Sequence, residues 1–535
     1  MHARASPASD RTVDAILNHH PNVSSQDEAQ ESGFFSRRPL LLSFTLTVLF
    51  LASFCIRVYR ITDPPLDFHP VRQYDSALLA RSYYFRYLGS SAPQWMRTVA
   101  ACQDPRTYLE PPIMESVTMA LYFLAGGVEM WIPRLLSSLF WLLGGAPLYL
   151  LVRRTVSTDG AVVSTAFYLL LPYGVFASRT FMPNPLMVMM LLLSILLIAR
   201  YGEEPTVRRA AIAAAVTGLA ILIEPFPLFM TLGAFAVLAI QRQGFRKSLL
   251  NPRSWIFATI AVLPPVIYYW HTFLSHRDTS LLSFQLQPQY LFDPLSYRYW
   301  LLHIQNVVGF GALILALLGV LMFRRGGARA LAIGLWCGYV VYGLVFIYHM
   351  RTHDYYQLLL IPLVAICLGP VGALLLARLD QIATHWPIRA GAWSVLALAL
   401  VLALGVAGTQ LARLAFDEEV RIYQEIGEAV HHSTNTVFLD GYAGYALEYH
   451  GWLCGRNWPF AWRAYGLPGL PVLDAEERFA KDYADSSPEY FIITNLLAFE
   501  EQSDLRSFLT ENFPLVAQTE DYLVFDLRRP VDSEE

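Results

Sequence analysis

Apolar runs of about twenty residues, nearly free of charge, recur along this chain from residue 39 to residue 413. Wound as an α-helix, a run of that length matches the hydrocarbon thickness of a bilayer, about 30 Å. Inside lipid each segment must satisfy its own backbone hydrogen bonds, so a helical polytopic membrane domain is the architecture these runs dictate. Composition agrees. Hydrophobic residues make up 55% of the chain and charged residues 15%, against about 25% charged in an ordinary globular protein. A cytosolic enzyme, a disordered protein and a secreted disulfide scaffold are excluded. The net charge of -4 and the lack of a dominant basic tract exclude a nucleic-acid partner.

The runs fall near 39–58, 131–152, 159–178, 184–200, 210–223, 226–241, 254–270, 302–323, 330–349, 357–377 and 391–413. The expected fold is an all-α membrane domain of about 11 transmembrane helices (range 11–13), a large first outer loop, and a small C-terminal extracytoplasmic α/β domain. Lys and Arg in short loops mark the cytoplasmic side. Arg153-Arg154, Arg200 with Arg208-Arg209, Arg242 to Arg253, Arg324 to Arg329 and Arg378 to Arg389 form one set of loops. They alternate with cation-poor connections at 179–183, 224–225, 271–301 and 350–356. With Arg37-Arg38 holding the N-terminus inside, an odd number of spans puts the C-terminal end outside. The expected divisions are a disordered cytoplasmic tail over 1–36, the membrane domain over 37–414 with an outer loop over 59–130, and the α/β domain over 415–535. Residues 111–128 are apolar enough to span, but Glu115 and their short length favour a helix lying at the outer surface.

A transporter concentrates ionisable residues inside its spans and is built of related halves. Here the span interiors are nearly charge-free and no internal repeat is visible. The ionisable residues gather in outer loops, as suits a site where one substrate is lipid-borne and the other arrives from water. The richest stretch is Asp63-Pro-Pro-Leu-Asp67-Phe-His69-Pro-Val-Arg72-Gln73-Tyr-Asp75, followed by a helical segment with Arg81 and Arg86. A carboxylate there can deprotonate an attacking hydroxyl, and a guanidinium can hold a phosphate in a fork. The plainer alternative is that these residues cap and pair within a surface loop. The same loop ends in Asp104-Pro-Arg106-Thr-Tyr108-Leu-Glu110-Pro-Pro, Arg179 and Asn184 mark another outer turn, and His353, Asp354, Tyr355 and Tyr356 sit where a late span begins. Tyrosines at that depth commonly serve as interface anchors. A divalent metal near His69 and His353 is conceivable, but no ligand spacing points to one.

Of the five cysteines, Cys55, Cys337 and Cys367 lie in apolar runs. Cys102 and Cys454 lie in polar segments; a single Cys102–Cys454 bridge is possible, with two unpaired thiols the stronger alternative.

These segments together resemble the GT-C class of membrane glycosyltransferases, above all the protein O-mannosyltransferase and aminoarabinose (lipid A) transferase superfamily. The likeness covers most of 39–380. It rests on RVYRITDPPLDFHPVRQYDSALLAR, on LEPPIMESVTMALYFLAGGVEMWIPRLLSSLFWLL with Arg134 opening its second span, on the turn SRTFMPNPL, and on THDYYQLLLIPLVAI. The resemblance implies a polyprenyl-phosphate-linked sugar as donor, a glycan, lipid or protein as acceptor, membrane lipid as surroundings, and transfer on the extracytoplasmic side with inversion. It implies an outer-loop carboxylate as general base, for which Asp67 is favoured, beside His69. Arg72, Arg134 and Arg179 become candidates for the donor phosphate. Asp75, Arg81, Asp104, Glu110, His353, Asp354, Tyr355 and Tyr356 become candidates for shaping the substrate site. A bacterial inner membrane is the expected location.

Two departures from the family pattern stand out. Aligned on ALLAR, the position of the family's acidic pair holds Arg72-Gln73. Where relatives often carry a Lys before Pro-Pro and another near an L-T-K-P-like turn, this chain has Glu110 and Glu224. Either Arg72, Arg134 and Arg179 take over the phosphate, or donor and acceptor differ; Glu224 could also pair with one of those arginines. Two other classes stay open: a lipid or glycan transporter or flippase, and a catalytically lapsed relative acting as an assembly partner.

In the C-terminal part, NTVFLDG and EYFIITN read as strands, YAGYALEYHG and EEQSDLRSFLTENF as helices, and PLVAQTEDYLVFDLR as a hairpin. Asp440, Tyr449 and Trp452 are candidates for glycan contact, with core packing the stronger alternative.

Overall fold

The computed structural model describes residues 33–103, 110–276, 286–382, 386–413, 416–461 and 473–530. It is predominantly helical, with a small C-terminal sheet. The first apolar run forms α1 (Pro39–Val58). The outer loop then carries α2 (Pro70–Leu88), α3 (Gln94–Cys102) and α4 (Ile113–Ala125). At 13 residues, α4 rises only about 20 Å and is too short to cross a bilayer. Behind it come α5 (Trp131–Thr155), α6 (Thr158–Leu170), α7 (Pro172–Ala177), α8 (Asn184–Glu203), α9 (Val207–Ile223), α10 (Pro227–Gln243), α11 (Phe245–Leu250) and α12 (Pro252–His276). The set continues with α13 (Pro294–Val307), α14 (Phe310–Met322), α15 (Gly327–Val345), α16 (Ile347–Thr352), α17 (Leu360–Ile382) and α18 (Trp386–Arg413).

Seven helices among the described residues are long and apolar enough to cross a membrane, or eight if α13 and α14 count as one bent span. The expected eleven is not reached by this measure. The run at 159–178 is split at Pro172, which has no N–H to continue the ladder. The run at 302–323 is broken by a 91° bend between α13 and α14. Gly309 makes that turn with φ +79, a conformation favouring glycine. The runs behind α9 and α10 form helices of 17 residues each.

The bundle is ordered by burial. The most apolar windows of α8 and of the Asp354–Gln381 stretch are each 78% buried, whereas those at α1 and at the stretch beginning at Trp386 are 11% and 6%. Large apolar side chains such as Leu398, Val401 and Leu402 cover the outside, as a lipid-facing surface requires. Helices α10 and α15 approach closely: a Cβ on Gly334 would stand 2.4 Å from the carbonyl oxygen of Gly233. The Gly334-x-x-x-Gly338 spacing permits that contact.

After α18 come α19 (Asp417–Ala429), β1 (Thr436–Leu439), α20 (Tyr445–Gly451), β2 (Gly455–Asn457), α21 (Ala475–Asp482), β3 (Tyr490–Ile493), α22 (Leu496–Glu500), α23 (Ser503–Asn512), β4 (Leu515–Gln518) and β5 (Leu523–Asp526). The sheet order is β2-β1-β3-β5-β4. Strand β1 pairs in parallel with β2 and β3, and β5 runs antiparallel to both β3 and β4. The expected strands, helices and terminal hairpin are all present. Strand β2 was not expected, because Gly-Arg-Asn carries no β-forming residue; neither was helix α21.

Candidate functional site

The segment between α1 and α2 is pinned by three buried side chains from three different elements. Arg134, in the first turn of α5 and 1% exposed, donates to the carbonyl oxygens of Ile61 at 2.8 Å, Asp63 at 2.5 Å and Arg179 at 3.2 Å. Arg179, in the turn before α8, donates through Nη2 to the carbonyl of Arg60 at 2.8 Å. Gln73 donates to the carbonyl of Phe68 at 2.5 Å and accepts the backbone N–H of Phe181 at 3.1 Å. The residue in the place of a family carboxylate is therefore a clip joining the acidic loop to the Arg179 turn, a role its sequence position did not signal.

Asp67 projects from this clamped loop. It is half-buried and makes no hydrogen bond or ion pair with another described residue. The charges acting on it come from Arg134 and Arg179. Arg179 is 2% exposed, and no described residue accepts from its Nε or Nη1. Burial and the neighbouring Arg134 hold its pKa down to about 10, against the pull of Asp67, so it remains a cation at neutral pH.

His69 closes the loop in a left-handed conformation, φ +43, just before Pro70 starts α2. Its Nε2 meets Asp354 Oδ1 at 2.8 Å. Its ring lies 4.7 Å from that of Tyr355 and 5.8 Å from that of His353. The Tyr355 hydroxyl donates to that of Tyr356 at 3.0 Å. The structure thus brings together the first outer loop and the start of a late span, 285 residues apart in sequence. His349, not singled out from the sequence, is buried edge-on to Tyr356 at 4.5 Å, and neither ring nitrogen has a hydrogen-bond partner among the described residues.

The two sequence departures meet beside this cluster. Arg72 Nη2 lies 2.5 Å from Glu110 Oε2, and Arg72 Nη1 lies 3.9 Å from Asp75. Glu110 is the main cause holding the Arg72 pKa well above its usual value. Glu224 forms no ion pair with an arginine among the described residues. Its Oε2 accepts from Asn184 Nδ2 at 2.9 Å. Burial, reinforced by the charge of Glu110, drives its pKa far above the carboxylate range. Burial thus favours its neutral, protonated form over a second anion. On the α2 face above, Ser76 donates to Glu115 at 2.7 Å, and burial likewise raises the Glu115 pKa.

Arg81 goes elsewhere. Its guanidinium donates to the carbonyls of Tyr449 at 2.6 Å and Glu448 at 3.1 Å and to Gln103 Oε1 at 3.0 Å, and it lies over the Trp452 ring at 4.0 Å. The Cys102–Cys454 disulfide and a Tyr74 hydroxyl to His450 Nε2 hydrogen bond of 2.8 Å strengthen the same junction between outer loop and C-terminal domain. Burial and Arg81 lower the His450 pKa to about 3, so its imidazole is neutral. Tyr449 and Trp452 pack here. Asp440 accepts from Tyr442 N at 2.7 Å and Thr494 Oγ1 at 2.7 Å, which makes it a turn-stabilising group. Asp104 lies outside the described residues. No group of three or more His, Cys, Asp or Glu among the described residues could hold a metal ion.

A helical membrane domain with an elaborated first outer loop, backed by a small α/β domain, is the architecture of the GT-C superfamily of membrane glycosyltransferases, and this chain has that fold. The dolichyl-phosphate-mannose-protein mannosyltransferase family matches residues 110–270. ArnT from Cupriavidus metallidurans bound to undecaprenyl phosphate superposes with a TM-score of 0.55 at 14% identity, over 91% of this chain and 98% of that one. Its apo state gives 0.56 at 16%, over 90% and 97%. The archaeal oligosaccharyltransferase AglB from Archaeoglobus fulgidus, in complex with an inhibitory peptide and a dolichol-phosphate, gives 0.53 at 13%, over 94% and 75%. A search of curated protein sequences finds no significant match.

Proposed function

We propose that this protein is an integral-membrane glycosyltransferase that moves a sugar from a polyprenyl-phosphate donor to an extracytoplasmic acceptor, with inversion. The observation that carries the reading is Asp67: a half-buried carboxylate without a hydrogen-bond partner among the described residues, on a loop held rigid by Arg134, Arg179 and Gln73. A base must keep its lone pairs available and its position fixed. Asp67 removes the proton from the acceptor hydroxyl as that oxygen attacks the anomeric carbon. The bond from that carbon to the phosphate oxygen breaks, and the polyprenyl phosphate leaves with the negative charge. Arg179 supplies a cation whose Nε and Nη1 are both uncommitted among the described residues, for that phosphate. The lipid phosphates in the titles of the ArnT and AglB structures support a donor of this class.

The Cys102–Cys454 bridge supports an oxidising, extracytoplasmic setting for the outer loop. Together with the basic loops on the other side, it favours a bacterial inner membrane with the N-terminus inside. The sugar and the acceptor are left open by these features. The test is sugar release from radiolabelled polyprenyl-phosphate sugars by purified protein. Asp67→Asn is expected to lower turnover by roughly 10²–10⁴-fold, the usual contribution of a general base, with lipid binding retained. Unchanged turnover would move the base to Asp75, Asp104 or Glu110.

A further inference from the structure

The arginines of the opposite face converge. Arg154 stands twenty residues beyond Arg134 on α5, about 30 Å away by helical rise. There the ends of α5, α8 and α10 and the start of α15 surround a cavity of about 590 Å³. Arg154, Arg242, Arg324 and Arg325 line it, with Glu203 the one carboxylate and Leu238 and Leu331 on its apolar wall. Glu203 receives Arg154 Nε at 3.1 Å, and Nη2 of the same guanidinium also donates to it. Arg242 reaches the carbonyl of Glu203 at 3.4 Å. Arg324 and Arg325 are exposed and make no hydrogen bond or ion pair with a described residue. Four guanidiniums thus face one carboxylate. Against the same end of α10 lies a second hollow of about 300 Å³, almost wholly apolar, lined by Phe235, Ala239, Phe245 and Trp255 among others.

The bias of basic residues towards one side of a membrane accounts for arginines in each loop taken alone. It does not account for a cavity shared by helix ends from four parts of the chain, with an apolar wall of Leu238 and Leu331. Arginine is suited to phosphate oxygens, and basic pockets between the cytoplasmic ends of membrane helices take anionic head groups. We propose that this cavity binds a phosphate ester carried by an anionic phospholipid, with the phosphate among Arg154, Arg242, Arg324 and Arg325 and the acyl chains in the surrounding bilayer. The site is separate from the transfer site and does not depend on the sugar chemistry.

Full-length protein in neutral detergent is titrated with dioleoylphosphatidylglycerol, dioleoylphosphatidylcholine or inorganic phosphate. Bound lipid is counted by native mass spectrometry and unfolding is followed by thermal melting. Phosphatidylglycerol is expected to bind saturably and raise the melting temperature, and phosphatidylcholine is not. Each basic residue facing an anionic head group contributes about fivefold in affinity. The Arg324→Gln/Arg325→Gln variant should therefore bind phosphatidylglycerol about 25-fold more weakly. Glu203→Gln, which frees Arg154, should bind it more tightly, giving a readout of opposite sign that loss of folding cannot imitate. Equal binding of the two lipids, or a double variant with wild-type affinity, would overturn the proposal. Protection by inorganic phosphate without a lipid adduct would assign the site to a soluble phosphate and overturn the lipid.

Discussion

Arg81 and Arg179 are equally buried, 1% and 2% exposed, yet they are treated in opposite ways. The Arg81 guanidinium uses Nε, Nη1 and Nη2 on carbonyls and an amide at the junction with the C-terminal domain. Arg179 uses one Nη and leaves Nε and Nη1 without an acceptor among the described residues. A buried donor left unmade costs on the order of 1–3 kcal/mol, more when it is charged. A saturated buried arginine is explained by the fold it holds. An unsaturated one carries a cost that the fold alone does not explain, which is why Arg179 is the cation we propose for the donor phosphate.

The comparison breaks first at Arg81. Arg81→Ala leaves the Tyr449 carbonyl and Gln103 without their charged donor and opens a gap under Trp452. It is expected to cost about 4 kcal/mol, the range reached when a buried charged network is cut. Thermal melting should show the loss, and limited proteolysis followed by reduction of the Cys102–Cys454 bridge should release the C-terminal domain. A variant with unchanged melting would mean that the disulfide alone holds the junction.

At Arg179 the two effects should separate. Arg179→Met removes the unmade donors and is expected to leave stability unchanged or raise it by about 1 kcal/mol. Turnover of a polyprenyl-phosphate sugar should fall by about 30-fold or more, as expected on losing a charge-assisted contact to a leaving phosphate. Equal loss of stability and activity would make Arg179 a second Arg81. Hydropathy could not distinguish these two residues, since each is an Arg in a polar outer segment. What differs is the set of atoms within 3 Å, and those come from residues remote in the chain: 449 for Arg81 and 60 for Arg179. For the same reason the apolar runs and the strands of the tail were legible, being local, whereas the Cys102–Cys454 bridge was only one possibility, because its two ends lie 352 residues apart. The split at Pro172, the bend at Gly309 and the His69–Asp354 contact depend on tertiary packing. Gln73 misled for a related cause. It stands where a carboxylate was expected, but its amide is engaged on two backbone segments, a role for which no sequence periodicity exists.

The Arg72–Glu110 pair sharpens the comparison at the surface. Arg72 and Glu110, two of the positions where the sequence departs from the pattern it resembles, meet in one ion pair at 2.5 Å. The two side chains are 30% and 24% exposed, so the pair is worth about 1 kcal/mol. Arg72→Glu and Glu110→Arg are each expected to lose about that much, through like-charge repulsion. The double variant should recover most of it in a double-mutant cycle read by thermal melting. No recovery would mean that the two positions are not coupled and that each departure needs its own explanation.

The smallest effect belongs to Glu224. Burial, with the charge of Glu110 behind it, raises the pKa of this acid well above its unfolded value near 4.5. The native state therefore holds a proton that the unfolded chain releases above that pH. Its contribution to stability is fully present below about pH 4.5 and is lost as pH rises through the raised native value. Glutamine keeps an oxygen for Asn184 Nδ2 and carries no proton to lose. Glu224→Gln is thus expected to match the wild type within about 0.5 kcal/mol at low pH and to become the more stable of the two as pH rises, by thermal melting across that range. A wild type that gains on the variant at high pH would show Glu224 acting as an anion. The side chain would then be pairing with an arginine such as Arg72, and the site would carry one more negative charge than the neutral acid described above.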